Sequence, residues 1–201
     1  MKNIARLRGF IQSFTQLVDR TDNDEKRVFS DGKHLLMDLV SRDDWLPESF
    51  AQPSGERYQQ YLLYCDPLER FSVVSFVWGP GQGTPVHDHT VWGMVGVMRG
   101  AEICEEFDFD PDAGRLRSRG RHRITPGNVD LVSPRIGDIH RVSNDLADRP
   151  SVSIHMYGAN IGAVERHIYE PDSGPKPFVS GYSSDLLPNI WDRSAESASD
   201  V

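Results

Sequence analysis

His87 and His89 stand one residue apart in PVHDHTVWGMVGVMRG, residues 85–100, a segment that reads as β-strand. Side chains two apart on a strand point to the same face, so both imidazoles can converge on one ion. A turn containing Gly81, Gly83 and Pro85 precedes the pair, and an apolar strand follows it. Taken alone, the pair suits two exposed strand histidines equally well. A second constellation lies in SVSIHMYG, where Ser153, His155 and Tyr157 alternate with Val152, Ile154 and Met156. Strand alternation places the hydroxyl, imidazole and phenol on one face and the apolar side chains on the other. In a row, the serine can orient the histidine and the histidine the phenol, a hydrogen-bonded relay. A polar outer face would show the same pattern.

The elements that must carry these residues change character along the chain. Residues 1–45 read as a helical N-terminal part. Ile4, Leu7, Ile11, Phe14 and Val18 recur at spacings of three and four, with Asn3 as a candidate cap. A second helix is expected over Asp24 to Val40, broken near Gly32, and DDWLPESFAQPSGE is a connector rich in turn formers. Residues 58–170 then read as a β-sandwich. RYQQYLLYC and RFSVVSFVW, separated by DPLE, form a hairpin, and AEICEEFDF, RHRIT, VDLVS, IHRVS and SVSIHMYG follow as short strands with Gly/Pro punctuation. The polar end of the chain, 192–201, is expected to fray. His34 and His167 fall in helix or loop contexts, and His122 sits in RSRGRHR, an arginine-rich stretch beside EEFDFDPDAG. That juxtaposition reads as an exposed, charge-paired hairpin rather than a nucleic-acid patch.

Composition narrows the function classes. With 38% hydrophobic residues in 201, the chain is expected to be one soluble globular domain. No apolar run approaches the roughly 18–20 residues of a membrane span, and the N-terminus lacks a signal-peptide apolar block. Cys65 and Cys104 are the only cysteines and form no CxxC, which points to a reducing cytoplasm and against a disulfide scaffold. A net charge of −8 disfavours a nucleic-acid partner. A small-molecule partner remains, and oligomeric state is not legible.

Spacing now adds specificity. Gly81, five residues, His87-Asp88-His89, three residues, Gly93, six residues, Gly100 resembles the first motif of the cupin superfamily, with Gly93 where a glutamate ligand usually stands. PRIGDIHRVSN, with Gly137, His140 and Asn144, resembles the second motif. The resemblance implies a mainly β, cupin-type sandwich or jelly roll behind N-terminal α-helices. It also implies a three-histidine metal set, His87, His89 and His140. Three neutral imidazoles leave a divalent ion its full charge and three open octahedral positions. Zinc in such a site would suit hydrolysis or hydration, and iron(II) would suit oxygen chemistry. Spacing does not choose between them.

The three histidines, Gly93, and Ser153-His155-Tyr157 together resemble the thiol dioxygenases of the cysteine dioxygenase family. That resemblance implies one iron(II) per chain, with dioxygen as co-substrate, converting a small thiol to a sulfinic acid. The thiol would bind as thiolate, and the Tyr157 hydroxyl would donate a hydrogen bond to the oxygen site. Two departures from the animal-type enzymes matter. Their cysteine after the HxH pair, which crosslinks to the tyrosine, is matched here by Gly93 or Met94, so no such crosslink is expected, and Cys104 reads as a buried structural thiol. Their carboxylate-gripping arginine is matched by Gln60, whereas Arg166 and the Ser133-Pro134-Arg135 stretch resemble the bacterial 3-mercaptopropionate dioxygenases, where a cis Ser–Pro bond is expected. An arginine fork suits a substrate carboxylate. The expected substrate is 3-mercaptopropionate, with L-cysteine weaker. Alternatives are a true L-cysteine dioxygenase and a non-catalytic or isomerase-type cupin, which would not need the Ser-His-Tyr triplet.

Overall fold

The stripe of apolar residues near the N-terminus winds into α1 (Ala5–Thr21), which buries Leu7, Phe10, Ile11, Phe14, Leu17 and Val18. The computed structural model describes residues 4–170 and 174–190, so the Asn3 cap and the 192–201 tail lie outside the described residues. α2 (Glu25–Val40) starts at Asp24, whose side chain accepts from the Arg27 N–H at 3.1 Å, an N-cap that satisfies one of the free donors of the first turn. It runs unbroken through Gly32, contrary to the expected break. A Cβ at Gly32 would stand 3.0 Å from Phe14 Cε2 and 3.1 Å from Met94 Cε, so the glycine permits close packing rather than a kink.

Among the described residues, eleven strands follow, in two antiparallel sheets. The hairpin expected around DPLE is β1 (Gln59–Cys65) and β2 (Ser72–Trp78). β3 (Val86–His87), β4 (Gly93–Arg99), β5 (Glu102–Asp110), β6 (Arg115–Ile124), β7 (Val129–Val132), β8 (Ile139–Asn144) and β9 (Ser151–Tyr157) come next, then β10 (Arg166–Glu170) and β11 (Gly174–Phe178). One sheet has the order β1-β2-β9-β4-β7 and the other β11-β10-β3-β8-β5-β6. This is the mainly β, cupin-type sandwich with N-terminal helices. The helices cover the outer face of the first sheet, where Gly96 lets β4 approach Leu36 and Val40 of α2. Val152, Ile154 and Met156 join that helix-side core. Removing one such buried leucine side chain typically costs about 2–5 kcal/mol.

Several local expectations change. β-structure continues past residue 170, because GPKPF forms β11 despite Pro175 and Pro177; it lies at the sheet edge, where missing N–H donors cost little. His167 therefore sits in a strand rather than a helix or loop. The arginine-rich segment is β6, longer than RHRIT, and Arg117, Arg119 and Arg121 pair with Asp110, Asp108 and Glu105 across the hairpin. The Ser133–Pro134 bond is trans, contrary to the cis form expected from resemblance. The Ser133 carbonyl accepts from Ile136 and Gly137 N–H, with Pro134 at the second position of that turn, where a trans proline fits.

Candidate active site

His87 and His140 are register partners on β3 and β8, so their side chains leave the sheet side by side. His89 was expected on the same strand as His87, but β3 ends at His87. Asp138 causes the departure. Its Oδ2 accepts the N–H groups of His89 at 3.0 Å and Thr90 at 2.9 Å, and Thr90 takes a left-handed φ of 59°. The turn carries the His89 ring back to the others. Ring centroids lie 4.9 Å apart for His87–His89, 4.9 Å for His87–His140 and 4.8 Å for His89–His140. One ring nitrogen from each falls within 4.8 Å of the other two.

Each imidazole is fixed through Nδ1: His87 to the Pro85 carbonyl at 3.1 Å, His89 to Asp138 Oδ1 at 2.9 Å, and His140 beside the Cys104 sulfur at 3.5 Å. An Nδ1–H donated to a carbonyl or carboxylate leaves Nε2 as the lone-pair donor. Burial pushes the His87 pKa down to about 3, helped by the charge of His89, and burial likewise lowers His140. Buried, convergent imidazoles with their other nitrogens engaged fit a divalent metal. Cys104 is buried with Val97 and Ile124, and burial pushes its thiol pKa up, so it packs against His140 as a thiol.

The second constellation faces the gap between the sheets. The Ser153 Oγ lies 2.8 Å from His155 Nε2, and His155 Nδ1 lies 2.8 Å from the Tyr157 hydroxyl. The triplet is buried, which excludes the polar outer face. Trp78 Nε1–H donates to Ser153 at 3.2 Å, and Phe76 stacks on His155 at 4.1 Å. Tyr157 in turn stacks on His89, with centroids 5.4 Å apart, which joins the triplet to the three histidines. Burial raises the Tyr157 pKa, so the phenol keeps its proton. Gly93 is the register partner of Tyr157 on the neighbouring strand.

A cavity of about 300 Å³ reaches His87 from the side of β10 and β11. Arg166 lines it, 4% exposed, with Nη2–H donating to Ser180 Oγ at 2.6 Å and its guanidinium 4.7 Å over the Phe178 ring. Its Nε has no partner, and no described carboxylate pairs with it. Gln60 lines the same cavity, but its amide nitrogen donates to the Gly181 carbonyl at 2.7 Å and so ties down the 180–183 segment. Asp88 holds the arginine's strand in place: it accepts from the His167 N–H at 2.7 Å, the His167 ring at 2.9 Å and the Tyr169 hydroxyl at 3.0 Å. Sequence reasoning gave no role to Asp88 or Asp138, although both stand beside the clustered histidines in HDH and GDIH. His122 pairs with Asp130 away from this cavity.

The family model described as cysteine dioxygenase type I matches residues 5–170. A zebrafish (Danio rerio) cysteine dioxygenase type 1 is 26% identical over 117 residues, covering 57% of this chain and 56% of that protein. The rat (Rattus norvegicus) protein of the same name is 22% identical over 181 residues, covering 81% of this chain and 89% of the other. A crystal structure of a Klebsiella pneumoniae protein with a double-stranded β-helix domain overlaps with a TM-score of 0.48 at 16% identity, covering 61% of this chain and 93% of that one. No described helix is long and apolar enough to cross a membrane. The chain belongs to the cysteine dioxygenase type I family, whose enzymes are iron-dependent dioxygenases of the oxidoreductase class.

Proposed function

We propose that the protein oxidises a small thiol carboxylate to its sulfinic acid, with 3-mercaptopropionate preferred over L-cysteine. His87, His89 and His140 would hold the iron. The observation that carries the substrate preference is the cavity itself. It reaches one metal-site histidine, contains a buried arginine with no carboxylate partner, and among the described residues is lined by no acidic side chain. A buried guanidinium in that state favours an anion, and the bidentate fork of arginine matches a carboxylate. The ammonium of cysteine would meet Arg166, and Arg57 on the rim, without a counter-charge. Gln60 acts here by holding the Ser180 segment that positions Arg166.

When bound, the iron supplies the redox chemistry that joins both atoms of dioxygen to sulfur. Three neutral imidazoles bring no negative charge, so the site favours an anionic thiolate. Phe76 and the packed sheets keep water from His155 and Tyr157, and Tyr157 holds a phenolic proton beside His89. Arg166 and Gln60 support a likeness to the bacterial 3-mercaptopropionate dioxygenases. The relatives' name, cysteine dioxygenase type 1, keeps L-cysteine as the second substrate. Two free cysteines accord with a reducing cytoplasm. Oxygen uptake by the iron-loaded protein with 3-mercaptopropionate, L-cysteine and a thiol lacking a carboxylate should rank in that order. Uptake as fast with the uncharged thiol would remove the role of Arg166.

A further inference from the structure

Glu102, the first residue of β5, is 0% exposed, and neither of its carboxyl oxygens has a hydrogen-bond partner. It reaches across the gap between the sheets. The hydroxyls of Ser151 and Ser153 on β9 and the Trp78 indole on β2 face it, and Asp130 on β7 is its charged neighbour. Burial pushes its pKa up to about 8; Asp130 adds to the rise, while the two hydroxyls and the indole pull it down without closing a hydrogen bond in this arrangement. A buried carboxyl so placed keeps its proton, because the ionised form bears the larger desolvation cost.

Ser153 is also the inner end of the relay, and its bonding capacity is limited. A hydroxyl has one proton and two lone pairs. Trp78 N–H occupies one lone pair, so one proton and one lone pair remain for two neighbours, Glu102 and His155. They can be shared in two ways. If Ser153 donates to His155 Nε2, His155 Nδ1–H donates to the Tyr157 oxygen, and the phenolic proton is free to point at a ligand on the three histidines. If Ser153 accepts from His155 Nε2–H, Tyr157 must donate to His155 Nδ1, and no proton faces that ligand.

We propose that Glu102 sets the direction of this relay: as a neutral acid it donates to Ser153 and turns the donor chain toward Tyr157 and the three histidines, and as a carboxylate it accepts from Ser153 and reverses the chain. Glu102 touches no substrate and is a positioning residue. The inference rests on the proposed role of Tyr157 as a donor in thiol oxidation.

The sign follows directly. Below the Glu102 pKa the productive direction prevails, and above it the relay reverses. In the iron-loaded wild type, kcat should fall through an alkaline limb centred near pH 8. Glu102→Gln, whose amide donates but cannot ionise, should lose that limb and keep near-wild-type kcat below it. Glu102→Leu, with no donor, should bring kcat toward the Tyr157→Phe level at every pH. Infrared spectra supply a readout independent of turnover. The wild type should show the C=O stretch of a protonated carboxyl well below pH 8, absent in Glu102→Gln and shifted by Ser153→Ala. The proposal is overturned if that band is missing from the wild type, if only Ser151→Ala shifts it, or if Glu102→Gln retains the alkaline limb. A wild type that consumes no oxygen with any thiol would defeat the proposed function, and the band and its shift in Ser153→Ala would still decide the relay.

Discussion

Gly93 lies directly across from Tyr157 on the neighbouring strand, and a Cβ added there would stand 3.0 Å from Tyr157 Cδ1 and 3.1 Å from Cε1. The same Cβ would meet Val132 Cγ2 at 2.9 Å. The phenol therefore rests against a backbone with no side chain. No thiol can reach it from this position. Intact-mass and peptide spectra should show Tyr157 unmodified and Cys104 alkylatable after denaturation. A peptide joining Tyr157 to either cysteine would contradict this register. Gly93→Ala should destabilise by about 1–3 kcal/mol through overpacking, measured by denaturant titration.

Tyr157→Phe should keep bound iron while slowing turnover by up to about a thousandfold, by analogy with the loss of one preorganised donor. Coupling of oxygen consumed to sulfinate formed should loosen as well. Metal content and an oxygen electrode check both parts. Unchanged turnover and coupling would leave the triplet as packing.

Asp138 is expected to matter as much as a ligand's neighbour can. It fixes the His89 ring and the turn that redirects it. Asp138→Ala should weaken iron affinity by about 10–100-fold, the usual effect of losing such a partner. Metal titration with a competing chelator reads this, and an affinity equal to wild type would show that His89 is oriented by something else.

How much of this was legible in sequence depends on the range of each interaction. The Ser153-His155-Tyr157 relay and the pairing of the β6 arginines follow from strand alternation and local charge, so they could be read directly. The histidine pair was read correctly as convergent, but for an incomplete reason. The chain leaves the strand after His87, and the Asp138 contact that redirects it spans 49 residues. Glu102 in AEICEEF looks like any polar strand residue, because its burial depends on which sheet covers it. β11 was hidden by two prolines that only an edge tolerates. Gly32 reads as a break until the helix has a sheet to sit on.

Arg166→Ala should raise KM for both 3-mercaptopropionate and L-cysteine, since truncating one side of a buried charge pair costs about 2–5 kcal/mol. Gln60→Ala should do less, acting through a loosened 180–183 segment. Steady-state kinetics on both substrates provide the check. A normal KM in Arg166→Ala would mean that the carboxylate is held elsewhere.

His87→Ala, His89→Ala and His140→Ala should each lose most bound iron and all oxygen uptake, and full activity in His140→Ala would break the assignment of the site. The most direct test of the central claim is mass spectrometry of the product formed by iron-loaded protein from 3-mercaptopropionate under isotopically labelled dioxygen. The expected product is a sulfinate carrying two labelled oxygen atoms, formed with higher kcat/KM than the product from L-cysteine. A product with label in only one atom or none, or no sulfinate at all, would contradict it.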